Sequence, residues 1–242
     1  MFKTLMTVGV ALALTSGAAM AQTVRIGTEG AYAPYNFIND AGEIDGFEKE
    51  LGDELCVRAE LTCEWVKNDW DSIIPNLVSG NYDAIMAGMS ITDERDEVID
   101  FTQNYTPPAA SAYAAAAEDA DIEGGVIAAQ TATIQAAHVA EGGATLLEFA
   151  TPEETVAAVR NGEADAVFAD KDYLVPLVEE SGGALVFVGD DVPLGGGIGV
   201  GVRESDGELK DKLDAAIGSM KEDGTLNAMI VKWFGDGAAI YE

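Results

Sequence analysis

The stretch DAIMAGMSITDERDEVIDF, residues 83–101, sets the reading of the whole chain. Its first half is apolar and reads as a buried strand running into a Gly-Met-Ser-Ile-Thr turn. Its second half is a burst of acid around one cation, Arg95. The chain carries 13 Lys and Arg against 43 Asp and Glu, a formal net charge of −30. One of its few cations therefore sits just past a strand end, beside a serine and a threonine. Thr92 reads as a helix N-cap, which puts Arg95 in the first helical turn. There a cation meets the unfavourable end of the helix dipole. Two readings follow. Arg95 pairs with Asp93, Glu94 or Asp96 on the surface, for under about 1 kcal/mol, or it is held there to bind an anion.

Working outward, TVRIGTEG alternates and ends in glycine, as a strand does. YAPYNFINDAGEIDGF reads as a loop and hairpin, with Pro34 and Gly42 as turn residues. FEKELGDELCVRA spaces Phe47, Leu51 and Leu55 four apart, a helix. LTCEWVKND is a strand, WDSIIPNLVSG a short helix that tolerates Pro75 near its start, and YDAIMAGMS a further strand. This β-α-β-α-β order predicts a sheet with parallel strands covered by helices. The character shifts at YTPPAASAYAAAA, residues 105–117, where a second α/β unit begins. GGVIAAQTATIQAAHVAEG reads strand, turn, helix. ATLLEFATPEETVAAVRNGEADAVFADKDYLVPLVEESG reads strand, helix, strand, helix, with a cap at or just after Thr151 and Glu153 and Glu154 in the first turn. A glycine-rich return, GGALVFVGDDVPLGGGIGVGVR, precedes two helices, the first with Leu209, Leu213, Ala216, Ile217 and Met220 on one face. Gly195-Gly196-Gly197 is a weak match to a phosphate loop and reads as hinge or turn. The chain crosses between units near 105–110 and near 189–197, which suggests a hinge and a cleft. Ligands of open α/β sheets bind beyond the carboxyl ends of strands, and residues 83–95 lie at such an end.

The first residues, MFKTLMTVGVALALTSGAAMAQ, combine Lys3, a short apolar run and Ala19-Met20-Ala21. This is the pattern of a secretory signal peptide over residues 1–21. The run is short for a membrane span, which needs ~20 residues; an N-terminal anchor is the alternative. The expected mature protein is exported, soluble and periplasmic. Apolar residues make up 48% of the chain, enough for a packed core. The acid excess argues against nucleic acid, since phosphate contact needs clustered Lys and Arg. Cys56 and Cys63 are the two cysteines. An even count in an exported chain suggests one disulfide closing a short loop, with two free thiols as the alternative. His138 is the only histidine and stands far from both, so no metal site and no Ser-His-Asp set is expected.

VRIGTEGAYAPYNF, GEIDGFEKELGDELC, NDWDSIIPNLVSGNYDAIMAGMSITDER, GEADAVFAD and EDGTLNAMIVKWFG carry a resemblance across nearly the whole mature chain. The sequence resembles the periplasmic solute-binding proteins of polar amino-acid ABC transporters, the lysine/arginine/ornithine- and histidine-binding group of bacterial extracellular solute-binding protein family 3. The resemblance implies an α/β, type II periplasmic-binding-protein fold with two lobes and two hinge crossings. Lobe 1 would take residues 22–107 and 196–242, and lobe 2 residues 109–190. It implies capture of a free amino acid, most readily a basic one, by lobe closure. The protein would act as a monomer without cofactors and deliver to a membrane-embedded ABC permease with its ATPase. Carried over by position, Arg95 would grip the α-carboxylate, with Ser90 and Gly88 contacting the α-carboxylate and α-ammonium. Thr133 would supply a backbone donor at a lobe-2 helix start. Asp170 would pair with the α-ammonium, Tyr32 and Trp70 would sandwich the side chain, and Glu29 would lie near the far end. Ala87 stands where basic-amino-acid binders often carry serine, Glu29 is one methylene longer than the usual Asp, and Trp70 is larger than the usual Phe. These departures leave arginine, ornithine, lysine, histidine, a neutral polar amino acid or an opine open.

The chemistry agrees with that assignment. Burying a zwitterion strips water from two adjacent charges at a cost of several kcal/mol each, so its site must return a cation, an anion and hydrogen bonds. Arginine meets a carboxylate with a planar fork. Backbone N–H groups at a helix start add to it, as QTATIQ would provide. Asp170 follows DAVFA, again at a strand end. Glu29 between two aromatic faces favours a cationic side chain. The competing classes are an exported dehydratase-like enzyme, with Glu29 as its acid or base, and a sensor input module acting through a partner.

Overall fold

Six residues of alternating and then continuous burial begin the described chain, strand β1 (Thr23–Thr28). The computed structural model describes residues 23–242, so the leader read at residues 1–21 lies outside the described residues. After β1 come a small antiparallel sheet of β2 (Ala31–Tyr32), β3 (Asn36–Ile38) and β4 (Ile44–Asp45), then helix α1 (Phe47–Arg58) and strand β5 (Thr62–Lys67). A 3-10 turn at Trp70–Ser72 enters α2 (Ile73–Val78), followed by β6 (Ala84–Ile85), the single-turn helix α3 (Asp93–Asp96) and β7 (Asp100–Phe101). The second unit runs β8 (Ala110–Ala115), β9 (Val126–Gln130), α4 (Ile134–Glu141), β10 (Thr145–Phe149), α5 (Pro152–Arg160), β11 (Ala166–Asp170), α6 (Lys171–Glu180) and β12 (Val186–Pro193). The chain then returns through β13 (Gly201–Val202), α7 (Gly207–Glu222) and α8 (Thr225–Phe234).

These elements form two lobes, each on a five-stranded mixed sheet. The first has the order β5-β1-β6-β13-β7, and the second β10-β9-β11-β8-β12. In the first, β1 runs parallel to β5 and β6, while β13 is antiparallel to β6 and β7. In the second, β9 is parallel to β10 and β11, and β8 is antiparallel to β11 and β12. The chain leaves the first sheet after β7 and re-enters it at β13, so residues 102–109 and 194–200 pass between them. Gln130, which ends β9, bonds to Glu29, just past β1, so the carboxyl ends of these two strands face each other across the lobes.

Local chemistry explains the elements. Phe47, Leu51 and Leu55 form the buried stripe of α1, and Leu209, Leu213, Ala216, Ile217 and Met220 that of α7. Thr151 and Glu154 close a capping box on α5, with Pro152 at its start. Cys56 and Cys63 are disulfide-bonded, with Cα atoms 6.2 Å apart, tying α1 to β5. Away from the cleft, Asp83 accepts from Arg25 at 2.9 Å and from Arg203 at 3.0 Å, joining β1, the start of β6 and the end of β13.

One strand is shorter than the sequence suggests. The apolar run through Met86–Ser90 looks extended, yet pairing in β6 stops at Ile85. Gly88 takes a left-handed φ of 64°, and its amide donates 2.7 Å to the buried Glu48 rather than to a neighbouring strand. The backbone therefore turns out of the sheet there, a conformation glycine adopts without strain. Ser90 keeps only an isolated bridge to Ile198.

Candidate functional site

A small cavity of about 20 Å³ lies between the lobes. Glu29, Tyr32, Trp70, Ala87, Gly88, Ser90, Arg95, Thr133 and Asp170 all line it. The structure thus brings every sequence-derived site residue to one place.

Arg95 reaches this wall from α3. The Thr92 side chain caps that turn by accepting from the Arg95 amide at 3.2 Å. The guanidinium donates to the Ser90 carbonyl at 2.8 Å and, across the cleft, to the Ala132 carbonyl at 3.5 Å. It lies 5.4 Å over the Trp70 ring. Among the described residues it forms no ion pair with Asp93, Glu94, Asp96 or any other carboxylate, so the surface-pair reading fails. Burial pulls its pKa down to about 10, against the opposing pull of Asp170 and Glu94, so it remains cationic near neutrality.

Asp170 ends β11 on the facing lobe and precedes α6. Its Oδ2 accepts from the Tyr32 hydroxyl at 2.8 Å, and its Oδ1 from Gln135 Nε2 at 2.8 Å. Burial raises its carboxyl to about 6, helped by Asp172 and opposed by Tyr32, Arg95 and Gln135. Arg95 and Asp170 thus influence each other through space without touching. A cation and an anion set apart in one cavity suit a ligand that carries both.

Glu29 follows β1 and is 4% exposed. Gln130, at the end of β9, donates to its Oε1 at 2.6 Å from the other lobe. Burial lifts Glu29 to about 7, while Gln130 and Lys67 oppose the rise. Tyr32 is buried and stacks on Tyr173 of α6, with centroids 4.3 Å apart. Trp70 is buried too, and its Nε1 meets no acceptor among the described residues.

The remaining wall narrows what each residue can offer. The N–H of Gly88 is committed to Glu48, so Gly88 has only its carbonyl to present, an acceptor suited to an ammonium. The Thr133 hydroxyl donates to the Gln130 carbonyl at 2.6 Å and accepts from Ala136 at 3.1 Å as the N-cap of α4. What Thr133 can offer is therefore its backbone N–H, at a helix start with no acidic residue in its first turn. Ala87 adds a small apolar surface, 2% exposed. Ala132, beside Thr133, holds a left-handed φ of 56°.

Three further lining residues escaped the sequence reading: Gln130, Ile134 and Gln135. Gln135 braces Asp170 and also donates to Ser111 Oγ at 2.9 Å. A polar residue closing an apolar strand was the only sequence signal at Gln130. Tyr35 adds another inter-lobe bond, donating to Asp172 at 3.2 Å.

Comparison with known proteins agrees with this geometry. The family of bacterial extracellular solute-binding proteins, family 3, matches residues 24–236. The lysine/arginine/ornithine-binding periplasmic protein of Escherichia coli strain K12 is 32% identical over 244 residues, covering 94% of this chain and 93% of that protein. The L-arginine-binding protein of Pseudomonas aeruginosa is 33% identical over 226 residues, covering 87% of each. A solved periplasmic His/Glu/Gln/Arg/opine family-binding protein from Silicibacter pomeroyi, in complex with lysine, is 80% identical. It superposes with a TM-score of 0.89 over 90% of this chain and 100% of that one. These relatives are binding proteins, not enzymes.

Proposed function

We propose, since this chain belongs to the bacterial extracellular solute-binding proteins of family 3, that it captures one free amino acid with a cationic side chain for an ABC importer. The observation that carries this reading is Arg95: a half-buried cation in a shared cavity, bonded to carbonyls and to no described carboxylate, with Asp170 on the facing lobe. In this reading Arg95 holds the α-carboxylate with help from Ser90 and the Thr133 N–H. Asp170 and the Gly88 carbonyl hold the α-ammonium. Tyr32 and Trp70 flank the side chain, and Glu29 meets its charge.

The zwitterion spans both lobes, so only the closed form satisfies both of its ends. Closure then depends on ligand because ligand binds the two forms unequally. The N-terminal segment directs export to the periplasm, and a membrane-embedded permease with its ATPase receives the closed complex. Hydrogen-bonded Glu29, with its raised pKa, also gives a neutral polar amino acid or an opine a foothold when protonated.

A thermal-shift screen of the common amino acids on mature protein tests the proposal. At ~100 times the dissociation constant a true ligand stabilises by about 2.7 kcal/mol. Arg95→Met is expected to abolish that shift and leave the circular dichroism spectrum unchanged. An undiminished shift in the variant refutes the proposed anchor.

A further inference from the structure

We infer that Gln130 sets the choice between cationic side chains, favouring a terminal ammonium over a guanidinium; this deepens the amino-acid reading above and rests on it. Gln130 is 8% exposed and lines the cavity. Its Nε2 donates to Glu29 Oε1 at 2.6 Å and to the Ala150 carbonyl at 3.0 Å. Both neighbours are acceptors, so the amide can face only one way, and both of its hydrogens are committed. Glu29 is left with a single oxygen, Oε2, that has no protein donor among the described residues.

Gln130 and Asp170 end adjacent strands, β9 and β11, but their side chains bond on opposite sides. Gln130 leans toward Ala150, just past the edge strand β10. Asp170 ends β11 on the other side of β9, and Gln135 ties it to Ser111 of β8. In the proposed pose, with Asp170 on the α-ammonium, Glu29 and Gln130 meet the ligand's side chain.

A guanidinium gains most from a carboxylate that offers two oxygens to its planar fork. Gln130 already donates to one of them, so a fork has to share that oxygen with the amide N–H. An ammonium is a compact charge with three rotatable donors, and it does not need paired oxygens. Glu29 Oε2 can take one of its hydrogens, and the Gln130 side-chain oxygen, which has no described donor, can take another. The pair thus forms a two-acceptor seat for lysine- or ornithine-type ligands, and it makes an arginine-type fork compete with Gln130 for Glu29 Oε1.

Isothermal titration of lysine, ornithine and arginine against the mature protein and its Gln130→Met variant, at about pH 8 where Glu29 is ionised, decides the matter. The wild type is expected to prefer lysine or ornithine over arginine by roughly tenfold, the worth of one charge-assisted hydrogen bond. Gln130→Met frees the second Glu29 oxygen and is expected to move the arginine-to-lysine ratio at least about fivefold toward arginine. A purely structural role would change both affinities together and leave that ratio alone. Equal or tighter arginine binding by the wild type overturns the inference, as does an unmoved ratio in the variant. If Gln130→Met does not fold, the wild-type ratio decides alone. Failure of all three ligands to bind refutes the proposed function instead.

Discussion

The Tyr32 hydroxyl donates to Asp170 Oδ2 at 2.8 Å, and the Asp170 amide donates back to the same hydroxyl at 3.2 Å. Tyr32 follows the first strand of one lobe and Asp170 ends a strand of the other. The ring of Tyr32 is held as well, stacked at 4.3 Å on Tyr173, which sits on the helix that Asp170 begins. One aromatic residue therefore joins the lobes through its edge and its face. Closure has support within the protein, and a ligand needs to supply only part of the bias.

Tyr32→Phe separates these two contributions. The variant keeps the stacked face and loses the hydroxyl. Removing one such hydrogen bond is expected to cost about 1 kcal/mol of the closed form, a roughly fivefold loss of affinity. Solution scattering is expected to show a larger radius of gyration for the ligand-free variant than for the wild type. Identical radii and affinities would mean that the hydroxyl does not support closure.

Glu29 makes binding of a cationic side chain proton-linked. Burial raises its carboxyl to about 7, so it is partly protonated near neutrality. A cation placed beside it favours the ionised form and expels that proton. Affinity for lysine or arginine is expected to be full above pH 7 and to fall as pH drops below it, approaching tenfold per unit. Titration calorimetry in buffers of different ionisation enthalpy is expected to detect proton release near neutral pH for these ligands. For a neutral ligand such as glutamine the release is expected to be smaller, because Glu29 then gains no cation. Glu29→Gln removes this difference. A pH-independent lysine affinity between pH 6 and 8 contradicts the assignment of Glu29 to the side-chain charge.

The sequence disclosed those residues whose signal is local. Arg95 stood out because Thr92 caps its helix three residues earlier and a cation in that turn opposes the dipole. Asp170 was visible as an acid closing an apolar strand. The two α/β units followed from periodicity alone, and the site assignments needed the family resemblance as well. Gln130 and Gln135 stayed hidden because their meaning lies in distant partners. Gln130 meets Glu29 across 101 positions, and Gln135 meets Asp170 across 35. The over-long strand after Tyr82 has a similar cause. Continuous burial looks the same in a strand and in an irregular segment, and only the bond from Gly88 to Glu48, 40 positions away, separates them.

Glu48 is fully buried and receives three donors, the Tyr105 hydroxyl, the Gly88 amide at 2.7 Å and Asn36 Nδ2 at 2.7 Å. Burial raises its pKa and the three donors oppose that rise. Because the amides can only donate, the ionised carboxylate fits this setting best. Glu48→Gln sets an NH2 group against one or more of those donors. It is expected to destabilise the protein by about 1–3 kcal/mol and to weaken ligand binding, because the Gly88 turn loses its anchor. Chemical denaturation together with calorimetry checks both effects. A variant with lowered stability and unchanged affinity would show that Gly88 is positioned without Glu48.

Asp83 supports the first sheet away from the cleft and gives a separate stability test. Burial pushes its carboxyl up, but hydrogen bonds from Arg25 and Arg203 outweigh that and bring it to about 2. A folded-state value below the ordinary carboxylate value means that the unfolded chain binds the proton more readily. The stabilisation is therefore complete above about pH 4 and is lost as pH falls toward 2. Asp83→Asn is expected to cost about 1–2 kcal/mol at neutral pH, with the half-exposed Arg25 limiting the loss through solvent screening. The variant is expected to show a flatter stability profile between pH 4 and 2, while its ligand selectivity is unchanged. Urea melts across that range measure the slope. A slope equal to that of the wild type would place the acid sensitivity on other carboxylates and remove Asp83 from the account.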